Sequence, residues 1–498
     1  MSSAPWRRKP SPRSKLQLID YILLMCLFTS SLCLLHSFQA FSSAASSSII
    51  DPSSAKVTHP NNNNNNANPP SPTIKLKPFT HFSTSPSSTW PSESVPTDVH
   101  LLSSPPITVP TFPPPSLSQP TRLNTDGITR STIYISISSY RDPLCSVTLT
   151  NILGNAKFPE RIRITVIQQN APTDTFSCLD HPPCSNNPVD PVCRYKDQVE
   201  IYDLPAELAT GPVFARSIGS RLYNGETYAM QIDAHLEFVL HWDINIITQL
   251  TLTNNKKAVL TTYLTDVPGS ISPSTGLSLR NTIPVMCNSG FERTHLGTYL
   301  RHGSQPEGKP PIKGESILSP YFAAGFFFSY GTFIKDVPYD IYLPMVFQGE
   351  EISLGLRGYT FGYDFYTPSE SVCFHYYGKR PMLRGRGGEV KKFWENGNKH
   401  EGSGKESMKR LVNIIKMGEG EDYYRKDESV YGLGNVRRVE DFFDIFGIDV
   451  KGKKAKKDLC KFVTTGRMHR EFSKYIDAEN GNGVDYEKLK GYVIKELK

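Results

Sequence analysis

The stretch Thr227–His241, TYAMQIDAHLEFVLH, decides the fold. A short apolar run, Tyr228, Ala229, Met230 and Ile232, stops abruptly at Asp233-Ala234-His235. Two metal-capable side chains therefore stand where a buried strand opens into a crevice, and in open α/β sheets ligands bind outside the carboxyl ends of the strands. Residues two apart on an extended backbone share a face. Asp233 and His235 can thus hold a divalent cation against a diphosphate, with Ala234 pointing outward between them. The competing reading is a strand-end Asp that caps the next helix and a surface His.

Working outward, Thr132–Ser139 (TIYISISS) is β-branched and alternating, which predicts a strand. A helix is expected over Leu144–Ala156, then strands over Arg161–Gln169 and Val199–Leu204. The Gly211-Pro212 punctuation starts a helix that runs to Tyr223. After strand Thr227–Ile232 come a helix over Trp242–Thr251 and a strand over Ala258–Leu264. Strands alternating with helices argue for an α/β fold with a mostly parallel, Rossmann-like sheet. Tyr321–Tyr330 (YFAAGFFFSY) is apolar enough for a core strand. Gly303–Ser316 reads as a loop, and Arg386–Lys405, rich in Gly and Lys, as a linker to a C-terminal region.

The chain has 498 residues and a net charge of +7. The positive excess is split between Arg7, Arg8, Lys9, Arg13 and Lys15 at one end and Lys451–Lys457 near the other. No aromatic-basic stacking surface accompanies it, which argues against a nucleic-acid partner. Leu16–Phe38 is the longest hydrophobic stretch. About 20 residues at ~1.5 Å rise cover the ~30 Å hydrocarbon core of a bilayer. The basic residues precede it, so the rest of the chain is expected on the lumenal side as a type II membrane protein of the Golgi or ER. The alternative is a cleaved signal peptide, with small residues around Ala40–Ala45 as the cleavage site.

From Phe41 to about Gly127 the sequence is rich in Ser, Pro, Thr and Asn, including the run Asn61–Asn66. Such composition cannot bury enough apolar surface to offset the entropy of ordering. The expected organisation is a cytosolic tail over 1–15, an anchor over 16–38, a disordered stem over 39–128, an α/β catalytic domain over 129–400 and a helical extension over 401–498. Beyond the anchor lie seven cysteines, at 145, 178, 184, 193, 287, 373 and 460. A lumenal setting permits disulfides. Cys178, Cys184 and Cys193 crowd one loop, which predicts a local bridge, and the odd count leaves one thiol over. The C-x5-C-x8-C spacing fits no common zinc pattern.

Three further places can carry chemistry. Ser138–Pro143 ends the first strand, where a nucleotide-binding sheet contacts base and ribose; a plain polar turn whose Asp-Pro begins a helix reads equally well. Glu350 and Glu351 precede a helical stretch, either as N-terminal charges favoured by the macrodipole or as acceptors for sugar hydroxyls. His375 lies in Phe374-His375-Tyr376-Tyr377, where a core histidine and a third metal ligand are both open. Asp477–Lys488 resembles an EF-hand loop but has Gly481, Asn482 and Lys488 at positions 5, 6 and 12, where oxygen ligands, Gly and Glu belong.

Several longer stretches are similar to the polypeptide N-acetylglucosaminyltransferase family, the Skp1-type and protozoan mucin-type enzymes. They are Ser136–Asn170, Gly211–Ser217, Gly225–Asp243, Ala258–Tyr263, Gly325–Gly331, Val337–Asp340, Phe347–Tyr377 and Tyr431–Asp449, in that order. The resemblance implies a retaining, metal-dependent glycosyltransferase of the GT-A fold. Its donor would be UDP-GlcNAc, its cofactor Mn²⁺ or another divalent cation, and its acceptor a polypeptide hydroxyl. It also implies that Asp233, His235 and His375 bind the metal and that Tyr140, Arg141 and Asp142 lie against the uridine. Arg216 would approach the nucleotide or donor sugar, and Glu350 and Glu351 would face donor sugar and acceptor. Ala234 departs from the serine common among relatives. Another UDP-sugar donor, or a catalytically silent lumenal carbohydrate-binding protein on the same scaffold, are the alternatives.

Overall fold

The computed structural model describes residues 131–179, 187–377 and 391–494, apart from positions 401, 421, 457, 478, 480–482 and 493. The expected anchor and stem lie outside the described residues. Among the described residues, no helix is long and apolar enough to cross a membrane.

The architecture is mixed α/β around one eight-stranded sheet. Its strands are β1 (Ile133–Tyr140), β2 (Ile162–Asn170), β3 (Val199–Pro205), β4 (Tyr228–Asp233), β6 (Ala258–Thr261), β7 (Ile317–Ser319), β8 (Phe326–Tyr330) and β9 (Asp364–Thr367). A short strand β5 (Leu236–Phe238) pairs outside the sheet with β10 (Cys373–His375). The strand order is β7-β9-β6-β8-β4-β1-β2-β3. β3, β2, β1 and β4 are parallel neighbours, as are β6 and β9, whereas β8 runs antiparallel between β4 and β6 and β7 antiparallel to β9. The sheet is thus mostly parallel, with β8 inserted against the grain.

The central strands are buried on both faces, as β-branched runs in a covered parallel sheet are. β1 and β4 are covered along nearly their whole length. The helices α1 (Cys145–Asn155), α2 (Pro212–Arg221) and α3 (Trp242–Leu252) follow strands, as the alternating pattern predicts. Helix α2 lies so close to β1 that a side chain at Gly219 would collide with the Ser136 hydroxyl. The Tyr134 hydroxyl donates to the Gly219 carbonyl at 2.5 Å across that contact. Further along come α4 (Glu350–Thr360), α5 (Ser403–Ile414) and α6 (Val439–Phe446).

Several expectations need correction. Only Phe326–Tyr330 of the Tyr321–Tyr330 run is strand. The preceding turn is held instead by the Thr261 hydroxyl, which accepts from Ala323 N–H and donates to the Ala323 and Phe326 carbonyls. β6 stops at Thr261 rather than Leu264. The Gly303–Ser316 loop is partly pinned, because Glu307–Gly308 pairs with Ile283–Pro284. The described parts of the supposed linker, 391–400 and 402–405, are folded: Phe393–His400 forms a tight turn of helix with Phe393, Asn396 and His400 buried, and Ser403 begins α5. Ala234 is not outward but buried, and its carbonyl accepts from the Thr148 hydroxyl.

One of the three loop cysteines pairs outside its loop, while Cys184 lies outside the described residues. Cys178 joins Cys145, tying the loop after β2 to the start of α1. Cys193 is disulfide-bonded, and among the described residues the free thiol is buried Cys373. Cys287 joins Cys460, 173 residues apart. Removal of a native disulfide of this kind costs about 2–5 kcal/mol. The Cys287→Ser/Cys460→Ser double variant should therefore unfold at clearly lower urea than the parent under non-reducing conditions. An unchanged midpoint would show that the ion pairs Arg410–Asp340 and Arg437–Asp364 suffice to hold the C-terminal helices.

His302 is fully buried, and its Nε2 lies 3.0 Å from the Phe322 carbonyl. Burial holds its pKa down at about 4. A base whose pKa is depressed by folding stabilises the native state above its unfolded value of about 6.5. That stabilisation is lost as pH falls toward 4. Thermal melts should therefore show a fall in midpoint across that window, and the His302→Gln variant should show a shallower one. Parallel profiles would mean that other groups govern the acid limb.

Candidate active site

A cavity of about 570 Å³ opens at the carboxyl ends of β1 and β4, within the range of small-ligand sites. Of the residues picked out in the sequence, Tyr140, Asp142, Arg216, Asp233, His235, Glu350, Glu351 and His375 all line it. Arg141 does not. Its backbone is left-handed, with φ at 48°, and its guanidinium turns away to Asp174 and Glu395.

The metal-capable set is assembled by backbone pairing. β4 ends at Asp233, and the chain continues through Ala234 and His235 into β5. β10 pairs antiparallel with β5, so that His375 sits opposite Leu236. This register brings His375 beside His235, 140 positions earlier in the chain. One ligand atom from each of Asp233, His235 and His375 lies within 4.8 Å of the others. The two Nε2 atoms are 2.8 Å apart, and His375 Nε2 is 3.5 Å from Asp233 Oδ2.

Asp142 stands behind His235. Its Oδ2 is 2.6 Å from His235 Nδ1, while Oδ1 accepts from Leu144 N–H at the start of α1. With Nδ1–H given to the carboxylate, the Nε2 lone pair of His235 faces the Asp233–His375 pair. A carboxylate that fixes the outer nitrogen of a metal-binding imidazole is the usual support for such a ligand. Asp142 thus meets the start of α1 with one oxygen and His235 with the other. One carboxylate and two imidazoles suit a borderline divalent cation.

Arg216 reaches the cavity floor from α2. It donates to Glu350 Oε1 at 2.6 Å and to Asp233 Oδ1 at 2.7 Å, and its side chain is 6% exposed. Burial works against ionisation of Asp233, but the His375 hydrogen bond and the Arg216 charge outweigh it and hold its pKa well below the usual carboxylate range. Glu350 and Glu351 begin α4, directly after Gly349. Burial pushes both pKa values up, for Glu350 in spite of Arg216. Glu351 accepts from Ala324 N–H at 2.9 Å and from the Tyr263 hydroxyl at 2.7 Å. The two carboxylates are thus both helix-start charges and cavity walls.

The profile model of the family described as Glycosyltransferase (GlcNAc) matches residues 132–191 and 173–452. The chain belongs to this GlcNAc glycosyltransferase family. No curated protein matches the sequence. Among solved structures, GalNAc-T7 with UDP, GalNAc and Mn²⁺ is similar at 14% identity and a TM-score of 0.39, over 65% of this chain and 58% of that one. Staphylococcus aureus TarS 1–349 in complex with UDP-GlcNAc is similar at 12% identity and a TM-score of 0.31, over 58% of this chain and 68% of that one. The chain therefore spans less than two thirds of GalNAc-T7.

The glycosyltransferase cavity has one wall that sequence reasoning missed. Lys391, Lys392, Phe393 and Trp394 line it. Phe347 and Trp394 meet edge to face, with centroids 5.9 Å apart, and both are about half exposed. Asp174, Glu395 and Tyr263 were missed as well. Asp174 sits in a polar loop and Glu395 in a segment that reads as linker, so no periodicity or spacing marks either. Tyr263 ends an apolar run and looks like core until its hydroxyl is seen at Glu351.

Proposed function

We propose that this glycosyltransferase is a GT-A enzyme of the polypeptide N-acetylglucosaminyltransferase type, retaining and metal-dependent. It moves GlcNAc from UDP-GlcNAc to a Ser, Thr or hydroxyproline hydroxyl of a secretory-pathway polypeptide. The observation that carries the reading is the Asp233–His235–His375 set, with Asp142 behind His235, at the mouth of a parallel-strand crevice. Residues 16–38 would anchor the chain with the catalytic domain, placed at 129–400, in the Golgi or ER lumen; the region from 401 would be its helical extension.

When bound at Asp233, His235 and His375, Mn²⁺ supplies a Lewis acid that offsets the negative charge developing on the departing diphosphate. Tyr140 and Asp142 border the crevice where the uridine would sit, and Arg141, drawn to Asp174 and Glu395, shapes the same loop. Arg216 keeps Asp233 ionised and fixes Glu350. Glu351, oriented by Tyr263 and Ala324, is placed to accept a hydrogen bond from a sugar hydroxyl. In the transfer, the bond between sugar C1 and the phosphate oxygen breaks, and a bond from the acceptor oxygen to C1 forms on the same face. The acceptor proton passes to the departing phosphate oxygen. The half-exposed Phe347 and Trp394 rings offer the acceptor an apolar surface.

The test is UDP release from a panel of UDP-sugars with Mn²⁺, with and without Thr/Pro-rich peptides. Release from UDP-GlcNAc alone, abolished by EDTA and increased by peptide, is the expected result. Release from a different UDP-sugar would replace the donor. UDP binding without release from any sugar would favour a carbohydrate-binding protein.

A further inference from the structure

The turn Phe393–His400 is fastened to the cavity rim at three points. Glu395 Oε1 accepts from the Tyr140 hydroxyl at 2.5 Å and from Arg141 at 2.8 Å. The Asn396 amide donates to the Ala206 and Ala209 carbonyls, at 2.8 and 3.0 Å. The Phe393 ring lies against Gly211, where φ is +118° and an added Cβ would come within 3.2 Å of the ring. The segment is therefore held against the loops that precede α1 and α2, and it places Lys391 and Lys392 on the cavity wall.

Apart from a divalent cation held at Asp233, His235 and His375, the side-chain charge balance of that cavity is unfavourable for an anion. Asp142, Asp233, Glu350 and Glu351 all face it. Arg216 is already shared between Asp233 and Glu350. Among the described residues, the other lysine and arginine cations on the wall are Lys391 and Lys392, and Lys391 also lies near enough to Asp174 and Glu395 to help hold their pKa values down. Both are exposed, and the Lys392 ammonium rests 4.8 Å from the Trp394 ring centroid. A nucleoside diphosphate entering at Asp233 brings at least two further negative charges.

We propose that Lys391 and Lys392 bind the diphosphate of the donor, and that Glu395 is a positioning residue that holds them there. The inference rests on the nucleotide-sugar reading above. Glu395 touches no substrate in this scheme. It draws the turn onto Tyr140 and Arg141 and so fixes where the two ammonium groups can reach.

Titration of the full chain with UDP and Mn²⁺, at low and at high NaCl, tests this. The Lys391→Ala/Lys392→Ala variant should bind UDP about tenfold more weakly at low salt, the effect of losing a charge-assisted contact. Its affinity should also depend less on salt, because exposed charges are screened. Glu395→Ala should weaken binding and flatten the salt dependence in the same sense. Combining all three changes should cost no more than the lysine pair alone, since residues acting through one another are not additive. Glu395→Gln, which keeps both acceptor bonds, should bind nearly as the parent does, and this separates positioning from a folding defect. Wild-type affinity and salt dependence in the lysine variant would overturn the proposal. So would full additivity with Glu395→Ala. Failure of the unaltered protein to bind UDP at all would sink the nucleotide reading itself.

Discussion

Replacing Asp233 with Asn, or His235 with Ala, is expected to lower transfer by roughly 10³-fold or more, the scale of losing a principal source of transition-state charge stabilisation. Either change removes one of three ligand atoms that lie within 4.8 Å of each other. Asp142→Asn should do less, roughly 10–100-fold, because it leaves all three ligand atoms in place and alters the group behind His235. A graded loss is the signature: UDP release measured against Mn²⁺ concentration should need more metal in Asp142→Asn. It should stay near zero at any concentration in the ligand variants. Near wild-type turnover in Asp233→Asn or His235→Ala would end the metal assignment. Asn at 233 also loses charge opposite Arg216, so melting curves should accompany the rates.

Arg216→Met should be strongly damaging to stability. Arg216 is buried between Glu350 and Asp233. Removing one partner of a buried pair leaves the other uncompensated and costs about 3–5 kcal/mol. Glu350, whose side chain is 3% exposed, would then take up a proton more readily still. A carboxyl whose pKa is raised by folding costs stability above its unfolded value of about 4.3 and releases that cost as pH falls toward it. The deficit of Arg216→Met against the parent should therefore be largest at neutral pH and shrink on mild acidification. Adding Glu350→Gln should recover much of it. Urea midpoints across pH decide the matter: a deficit independent of pH would point to lost packing rather than to a stranded carboxylate.

What the sequence made legible follows local physics. β1, β2, β3, β4 and helices α1, α2 and α3 fall within a few residues of expectation, because β-branched runs and the Gly211-Pro212 start act over short range. Asp233, His235, Arg216, Glu350 and Glu351 were picked out and do share one cavity. Longer-range facts were not legible. The end of β6 and the extended turn before β8 depend on the Thr261 hydroxyl, which no pattern exposes. His375 reaches His235 only through the β5–β10 register. The ion pairs of the Arg141 guanidinium with Asp174 and Glu395, 33 and 254 positions away, were equally hidden. The outward placement of Ala234 failed because the chain bends at the end of β4 instead of continuing straight.

The Cys287–Cys460 bridge sets a timetable for the growing chain. At about 5–20 residues per second of synthesis, the 173 residues between them take roughly 10–35 seconds to emerge. Throughout that interval Cys287 has no correct partner, and Cys373 appears before Cys460 does. Where thiols are oxidised, a wrong 287–373 link is thus available first. Once β5 and β10 have paired, burial of Cys373 in β10 takes that thiol out of reach and leaves Cys287 open to the late partner.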